Sequence, residues 1–344
     1  MPTNKQTNKQ TNKQTNKQTN KQTNKQTIDY LISKTNPVKQ AIDIIGDQWS
    51  LLILREAFLN TCHFNDFQTN TGISKATLSK RLNYLVSEDF FHKRPDQNDH
   101  RKFKYHLTDK GQALYGFALA LWHWELSWNA ISGSSLIPTL THHAGERPHT
   151  LQIKTVCKHC NEGLSFDDIS LAYVPVADGN AQDIRDKANH RRQVIPKQGR
   201  TLLTESASIM GDRWTPLILK CVFTGIQRFD DLKNILSIAT NILSDRLKFL
   251  KSLGLIIKHH HPVTNIPEYS VTEKGKSLFP SNMLLRQWAI EYLPGQGHPY
   301  DLVHTSCKHS LHAVVICTEC GEEPIPSDVV IHTTKMTNAD SGHK

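Results

Sequence analysis

The feature that most constrains this chain is that it repeats itself. Gly46-Asp47-Gln48-Trp49 recurs 165 residues later as Gly211-Asp212-Arg213-Trp214. The same offset relates Ile53-Leu54 to Ile218-Leu219 and Phe64-Asn65-Asp66-Phe67 to Phe229-Asp230-Asp231-Leu232. It also relates Leu78-Ser79-Lys80-Arg81-Leu82 to Leu243-Ser244-Asp245-Arg246-Leu247. One deletion later, Tyr105-His106-Leu107-Thr108 and Gly111 match Tyr269-Ser270-Val271-Thr272 and Gly275. At an offset of 160, His149, Cys157 and Cys160 match His309, Cys317 and Cys320. A duplication of about 130 residues requires two units of one fold.

Residues 3–26 are six tandem copies of Thr-Asn-Lys-Gln, which offer nothing to bury and predict a disordered low-complexity tail over 1–27. The tract distorts the charge balance. The chain carries 41 Lys and Arg against 32 Asp and Glu; without the six tract lysines the count is 35 against 32. The remainder is only mildly basic, so any argument for nucleic acid has to rest on local clusters. Mean hydropathy of −0.48 fits a soluble protein. No run of residues approaches the roughly 20 apolar positions that span a bilayer. The first 27 residues also lack the apolar core of a secretory signal, which points to the cytoplasm. The expected organisation is a first repeat domain over 28–135, a Cys/His appendage over 136–177 and a polar linker over 178–200. A second repeat domain over 201–297 and a second appendage over 298–335 follow.

Each copy predicts helix, helix, helix, hairpin, helix. Asp47 precedes a short buried helix through Leu51–Phe58, and Phe64–Thr69 forms another that breaks near Gly72. Ser74 then caps a helix whose apolar positions Leu78, Leu82 and Leu85 fall at i, i+4 and i+7. Copy two repeats the frame with Leu243, Leu247 and Leu250. The segment Phe90–Arg94, a polar turn over Asp96–His100 and the alternating Phe103–Leu107 make a β-hairpin. Thr108 caps a helix with Leu114, Phe117, Leu121, Trp124 and Trp128 spaced 3, 4, 3, 4, a helix-pairing seam. The expected partner stripe is Leu285, Trp288 and Tyr292 of the other copy. The fold class is therefore mainly α with small β-hairpins, an α+β arrangement of two winged helix-turn-helix units, each with a small zinc-ribbon-like appendage.

A winged helix-turn-helix buries one stripe of its second helix and presents the other face to the DNA major groove. Burying Leu78, Leu82 and Leu85 turns Ser74, Lys75, Thr77, Lys80, Arg81 and Tyr84 outward, and these are donors for phosphates and base edges. The wing adds Lys93, Arg94, Arg101, Lys102 and Lys104. Between Ser74 and Thr108, eight Lys and Arg face four Asp and Glu. In copy two the corresponding DNA-binding candidates are Thr240, Asn241 and Arg246.

In this order the residues Trp49, Ile53-Leu54, Phe64, Phe67, Ile73-Ser74, Leu78-Ser79, Arg81-Leu82, Leu85, Arg94, Tyr105, Leu107-Thr108 and Gly111 resemble the HxlR-type winged-helix transcriptional regulators of bacteria. Copy two keeps Trp214, Leu219, Arg228-Phe229, Leu232, Leu243-Ser244, Arg246-Leu247, Leu250, Gly254-Leu255-Ile256, Tyr269, Thr272 and Gly275. The resemblance covers two stretches of about 90 residues and implies a tandem form of a regulator that ordinarily carries one such domain and dimerises through terminal helices. Two departures stand out. Copy one has Asp89-Phe90-Phe91 where the family pattern is Gly-Leu-Ile, and the copy-two wing Lys258–Thr264 carries three His and one Lys.

Seven cysteines include two C-x-x-C pairs, which in a reducing compartment read as metal or redox chemistry rather than a disulfide framework. Clustered histidines precede both pairs, as structural zinc with four N/S ligands requires. The expected ligands are His142 or His143 with His149, Cys157 and Cys160 in copy one. In copy two they are Cys307, either His309 or His304, Cys317 and Cys320. A thiol redox pair is the rival chemistry. Cys62, beside the helix-turn-helix, is a conceivable oxidant sensor, although a free Cys is more often a small buried hydrophobe.

Together these features predict a cytoplasmic, sequence-specific DNA-binding transcriptional regulator carrying structural zinc, with double-stranded DNA as partner and no membrane. It is expected to be a monomer acting as an intramolecular pseudo-dimer, with a chain-to-chain homodimer as the rival. No phosphate loop, dinucleotide fingerprint or nucleophile elbow is present, which argues against an enzyme. The alternative function is a metal- or thiol-responsive sensor or protein-interaction module that keeps winged helices as scaffold.

Overall fold

The structure, a computed structural model, describes residues 36–97, 99, 101–128, 139–145, 147–173, 203–293 and 300–332. The expected tail over 1–27 and the linker over 178–200 lie outside these residues.

Copy one begins with a helix that the repeat pattern did not mark. Helix α1 (Pro37–Ile45) starts with Pro in its first turn, and the Asn36 side chain accepts from Lys39 N at 3.2 Å. Asp47 then caps α2 (Gln48–Phe58), accepting from Ser50 N at 3.2 Å. Helix α3 (Phe64–Thr71) stops at Gly72, whose φ of 68° closes the helix in the left-handed region. Ser74 caps α4 (Lys75–Ser87), and Leu78, Leu82 and Leu85 are its buried positions. The wing is β1 (Phe91–Pro95) paired antiparallel with β2 (Phe103–Leu107). Thr108 accepts from Gly111 N at 3.1 Å and starts a single turn, α5 (Asp109–Gln112), ahead of α6 (Tyr115–Trp128). The expected seam helix is thus split at its first turn. A Cβ on Gly111 would lie 2.5 Å from the Phe90 carbonyl oxygen, and one on Gly275 would lie 2.3 Å from that of Leu255. This close approach explains the Thr-x-x-Gly element in both copies.

Copy two builds the same series as α7 (Thr204–Met210), α8 (Trp214–Phe223), α9 (Phe229–Leu236) and α10 (Thr240–Ser252). Its wing strands are separated from β1 and β2 by the copy-one appendage, which holds β3 (Thr139–His142), β4 (His149–Thr150), β5 (Ile153–Cys157) and β6 (Ile169–Tyr173). The wing itself is β7 (Ile256–His260) and β8 (Pro267–Val271), followed by α11 (Glu273–Lys276) and α12 (Phe279–Tyr292). The second appendage holds β9 (Tyr300–His304), β10 (Ala313–Cys317) and β11 (Val329–His332).

The copies interlock. Helix α1 of copy one packs on α12 of copy two, while α7 of copy two packs on α2 and α6 of copy one. The seam helices α6 and α12 meet as expected. Their tryptophans make mirrored bonds across it: Trp124 Nε1 donates to Ser277 Oγ at 2.9 Å, and Trp288 Nε1 to the Lys110 carbonyl at 2.9 Å. Trp288 also packs on Phe90, with ring centroids 5.6 Å apart. At the entry to α7, Glu125 accepts from Glu205 N at 3.1 Å and from the Ser206 hydroxyl. One continuous set of buried residues runs through both copies.

The appendages differ from two separate ribbons. Strand β3 pairs with β11, β5 with β10 and β6 with β9, each antiparallel and each across the copies. Only the short β3–β4 pairing stays within one appendage among the described strands. The sequence could not reveal this exchange, because each strand carries the same pattern whichever copy it pairs with.

Candidate nucleic-acid interface and metal clusters

Helix α4 stands proud of the copy-one core as its leucine frame requires. Ser74, Lys75 and Lys80 are exposed and Thr77 is half-buried, with Ser74 Oγ accepting from Thr77 N at 3.3 Å. Arg81 departs from the expectation. It folds back so that Nε lies 3.2 Å from Asp47 Oδ1, and its side chain is only 19 % exposed. Arg246 does the same in copy two, donating from Nε to Asp212 Oδ2 at 2.8 Å. The reason is local. Each Asp is buried while capping a helix, and a buried carboxylate needs a cation, which the arginine beside the leucine stripe supplies. The arginine of the Leu-Ser-x-Arg-Leu element thus braces α4 against the start of α2, and α10 against the start of α8.

The wing tip exposes two further cations of copy one. Arg101 is 92 % and Lys102 65 % exposed, and both flank Asp99, at 3.2 and 3.4 Å. The Arg101 backbone N–H and guanidinium hold the Asp99 carboxyl below its ordinary range. Arg94 is exposed on β1, and Lys93 Nζ sits 4.4 Å above the Phe103 ring. Lys104, expected to face DNA, is instead half-buried, with Nζ 3.5 Å from the buried Asp96 carboxylate.

In copy two, Thr240 and Asn241 are exposed on α10, and Asp245 takes the exposed place that Lys80 holds in copy one. Lys248, also exposed on this face, was missed by the sequence reading because the equivalent copy-one residue is Asn83. Its position seven residues after Asn241, outside the leucine frame, was the available signal. In the copy-two wing Lys258 is exposed, and His259 lies 4.0 Å from Glu268, which also binds Arg228 Nε at 3.3 Å.

The cysteines and histidines form two groups of four, in each of which the candidate ligand atoms lie within 4.8 Å of one another. One group is His142, His149, Cys317 and Cys320; the other is Cys157, Cys160, His304 and Cys307. Both arrangements correct the within-copy grouping expected above: each C-x-x-C meets ligands from the other copy. The exchange follows from the β5–β10 ladder, in which Cys157 lies opposite Ala313 and Cys317 opposite Ile153. The two knuckles thus sit at opposite ends of a five-residue ladder, about 13 Å apart along the strands. Each knuckle turns through a left-handed residue, Asn161 (φ 60°) or Gly321 (φ 79°), with Asn161 N and Gly321 N bonded back to the Cys157 and Cys317 carbonyls.

In the first group His149 Nε2 is 3.3 Å from Cys317 Sγ and His142 Nδ1 is 3.5 Å from Cys320 Sγ. His149 Nδ1 lies 3.0 Å from the Arg147 carbonyl, which fixes the proton there and leaves Nε2 as the free donor atom. In the second group His304 Nδ1 is 3.3 Å from Cys160 Sγ and 3.5 Å from Cys307 Sγ, and Cys157 and Cys307 sulfurs are 3.9 Å apart. His142 and His304 are both buried, and Nε2 of each has no partner among the described residues. His309 and His143 stand outside both groups. His309 Nδ1 is 2.7 Å from the Cys307 carbonyl and its ring lies against that of His159 at a 30° tilt, while His143 is exposed. Burial pushes the Cys317 thiol up, but backbone N–H groups of Cys320 and Glu319 and the two histidine rings outweigh it and bring it down to about 6. Burial raises Cys157 too, and the N–H groups of His159 and Cys160 with the Cys307 thiol bring it below the usual thiol range.

The two remaining cysteines lack this activation. Burial raises the Cys62 thiol and pushes that of Cys221 up to about 12, so neither is a ready thiolate. Trp122 and Trp124 are core, and Trp124 with the exposed Trp128 also lines an open cavity of about 510 Å³ at the seam.

Comparison with known proteins agrees with this architecture. The HxlR-like helix-turn-helix family model matches residues 44–132 and again 209–296. The chain is 42 % identical over 119 residues to the HTH-type transcriptional regulator MT3179 of Mycobacterium tuberculosis, covering 33 % of this chain and 74 % of that protein. It is 34 % identical over 91 residues to the HTH-type transcriptional regulator YvaP of Bacillus subtilis, covering 26 % of this chain and 84 % of that one. These relatives are named as regulators rather than enzymes. Among the described residues no helix is long and apolar enough to cross a membrane.

Proposed function

Because the chain belongs to the HxlR-like helix-turn-helix family, present here twice, we propose that it is a cytoplasmic transcriptional regulator whose two unlike heads bind one asymmetric DNA site. The observation that carries this reading is the pair of repeat-related helices, α4 and α10, held on one interlocked frame but bearing different exposed side chains. A symmetric dimer of one-domain regulators reads a palindrome with half-sites about one helical turn apart. Here the frame supplies both heads within one chain, and Lys75 and Lys80 of the first head become Thr240 and Asp245 in the second. Copy one, with the Arg101/Lys102 wing tip, provides most of the phosphate contacts. Ser74, Lys75, Thr77, Lys80, Arg94, Arg101 and Lys102 form its face, and Thr240, Asn241 and Lys248 the smaller face of copy two. Arg81 and Arg246 act from behind, by fixing the helices that carry these groups.

The two Cys/His groups hold structural zinc in this reading, with no open coordination position for chemistry. A gel shift on the DNA flanking the protein's own gene, at two salt concentrations, tests the DNA reading. Binding whose log affinity falls steeply with log salt, and weakens in Lys75→Ala/Lys80→Ala, supports it. Salt-independent or absent binding to every flanking fragment would leave the winged helices as scaffold.

A further inference from the structure

We infer that two zinc ions staple the two repeats together, each bound by one pair of ligands from either copy. One ion takes His142 Nδ1, His149 Nε2, Cys317 and Cys320; the other takes His304 Nδ1, Cys307, Cys157 and Cys160. The inference rests on the structural-zinc reading above and adds which residues share an ion and what the ion does.

The distances fit a tetrahedral ion. Zinc bonds of about 2.3 Å to sulfur and about 2.05 Å to nitrogen place tetrahedral ligands about 3.8 Å apart for S···S and about 3.5 Å for N···S. The Cys157–Cys307 separation is 3.9 Å, and the four N···S separations are 3.3, 3.3, 3.5 and 3.5 Å. A disulfide would need sulfurs near 2.05 Å, so 3.9 Å is a ligand spacing rather than a bond. The donor sets, two sulfurs with two nitrogens and three sulfurs with one nitrogen, contain no oxygen and select zinc over magnesium or calcium. Both groups are closed by side chains from two copies that the chain joins only through residues 174–202.

The consequence is mechanical. Each site fastens a strand ending of one copy to a knuckle of the other, at opposite ends of the β5–β10 ladder. This ladder lies against the seam helices α6 and α12, which carry the two DNA-reading heads. Zinc loading therefore locks the strand side of the frame that spaces the heads, and its loss leaves that spacing to the α1–α12, α6–α12 and α7 contacts alone. DNA affinity should then fall toward that of the copy-one head alone. Two heads in register gain about 10²–10⁴ over one, so removing zinc should weaken operator binding at least tenfold at fixed salt.

Metal analysis of the dialysed full chain comes first: two zinc ions per chain are expected, and a folded, metal-free protein would overturn the zinc reading itself. The pairing is tested separately with His149→Ala, a half-buried ligand whose loss spares the core. The zinc-loaded variant is treated with iodoacetamide and its peptides are mapped by mass. Reciprocal stapling predicts that Cys317 and Cys320 become reactive while Cys157, Cys160 and Cys307 stay protected. Reactive Cys157 and Cys160 with protected Cys317 and Cys320 would show within-copy sites and overturn the inference while leaving the zinc reading intact. Unchanged protection of all five cysteines would overturn it as well. Cobalt substitution of Cys317→Ser/Cys320→Ser gives a second readout: the surviving site should show the charge-transfer band of three thiolates, and a two-thiolate band would contradict the assignment. Operator binding that survives full zinc removal without loss would refute the mechanical role.

Discussion

Replacing Trp124 measures how far the two copies act as one folding unit. The side chain is 3 % exposed and reaches from copy one into copy two, where its indole N–H meets Ser277 Oγ at 2.9 Å and the Lys274 carbonyl at 3.2 Å. Lys274 Nζ sits 5.2 Å from the ring centroid. Truncation of a buried tryptophan costs about 3–5 kcal/mol. Trp124→Phe keeps most of the ring and loses the indole hydrogen bond. The Lys274 carbonyl still accepts from Ser277 Oγ at 2.8 Å, so that cost should stay near 1 kcal/mol. At roughly 2 °C per kcal/mol for a chain of this size, Trp124→Ala should lower Tm by about 6–10 °C and Trp124→Phe by about 2 °C. In zinc-loaded protein, calorimetry should show a single transition moving as a whole, because the exchanged helices and strands join the buried residues of both copies into one continuous core. Trp288→Ala, the repeat-related change, should move the same transition. Two resolved transitions, with Trp124→Ala shifting only one, would refute the interlocked frame.

Other outcomes follow from individual contacts. Arg101→Ala/Lys102→Ala should weaken binding to all DNA sequences alike and reduce the salt slope by about two units, with Tm unchanged. Arg246→Ala leaves the 2 % exposed Asp212 carboxylate without its cation, and should cost roughly 2–3 kcal/mol in urea melts after allowing for the partial exposure of Arg246. Lys248→Ala, on the exposed face of the same helix, should leave stability unchanged and weaken DNA binding. Asp89 sits at φ 61° where copy two has Gly254 at φ 71°, so Asp89→Gly should stabilise by about 0.5 kcal/mol in the same melts. Burial pushes the Lys220 ammonium down to about 7, with Nζ 2.8 Å from Asn36 Oδ1. Because the unfolded chain binds this proton up to its ordinary pKa and the folded one does not, stability should rise with pH between about 7 and 10. Lys220→Met should flatten that rise in melts across the window.

The helices and wings were legible because their signals are local. Leucines at i, i+4 and i+7, caps at Ser74 and Thr108, and alternation in Phe103–Leu107 each act within a few residues. The seam was legible too, since its 3-4-3-4 spacing makes an apolar stripe that has to meet another. Helix α1 escaped notice because its copy-two counterpart shares few residues with it. Every residue of the two Cys/His groups was among the candidates, with His143 and His309 in excess, but the grouping was not legible. Sequence spacing ranks neighbours by proximity along the chain, whereas the β3–β11, β5–β10 and β6–β9 pairings bring together residues more than a hundred positions apart. The inward turn of Arg81 and Arg246 was hidden for a similar reason, because it depends on the burial of an aspartate about thirty residues earlier.

The most direct test of the account is the mass and footprint of the protein on its operator. Light scattering of the zinc-loaded complex should give one 39.1 kDa chain per duplex. Hydroxyl-radical cleavage should show two unequal protected half-sites about one helical turn apart, the stronger one lost in Lys75→Ala/Lys80→Ala. Two chains per duplex protecting a perfect palindrome across four half-sites would contradict it.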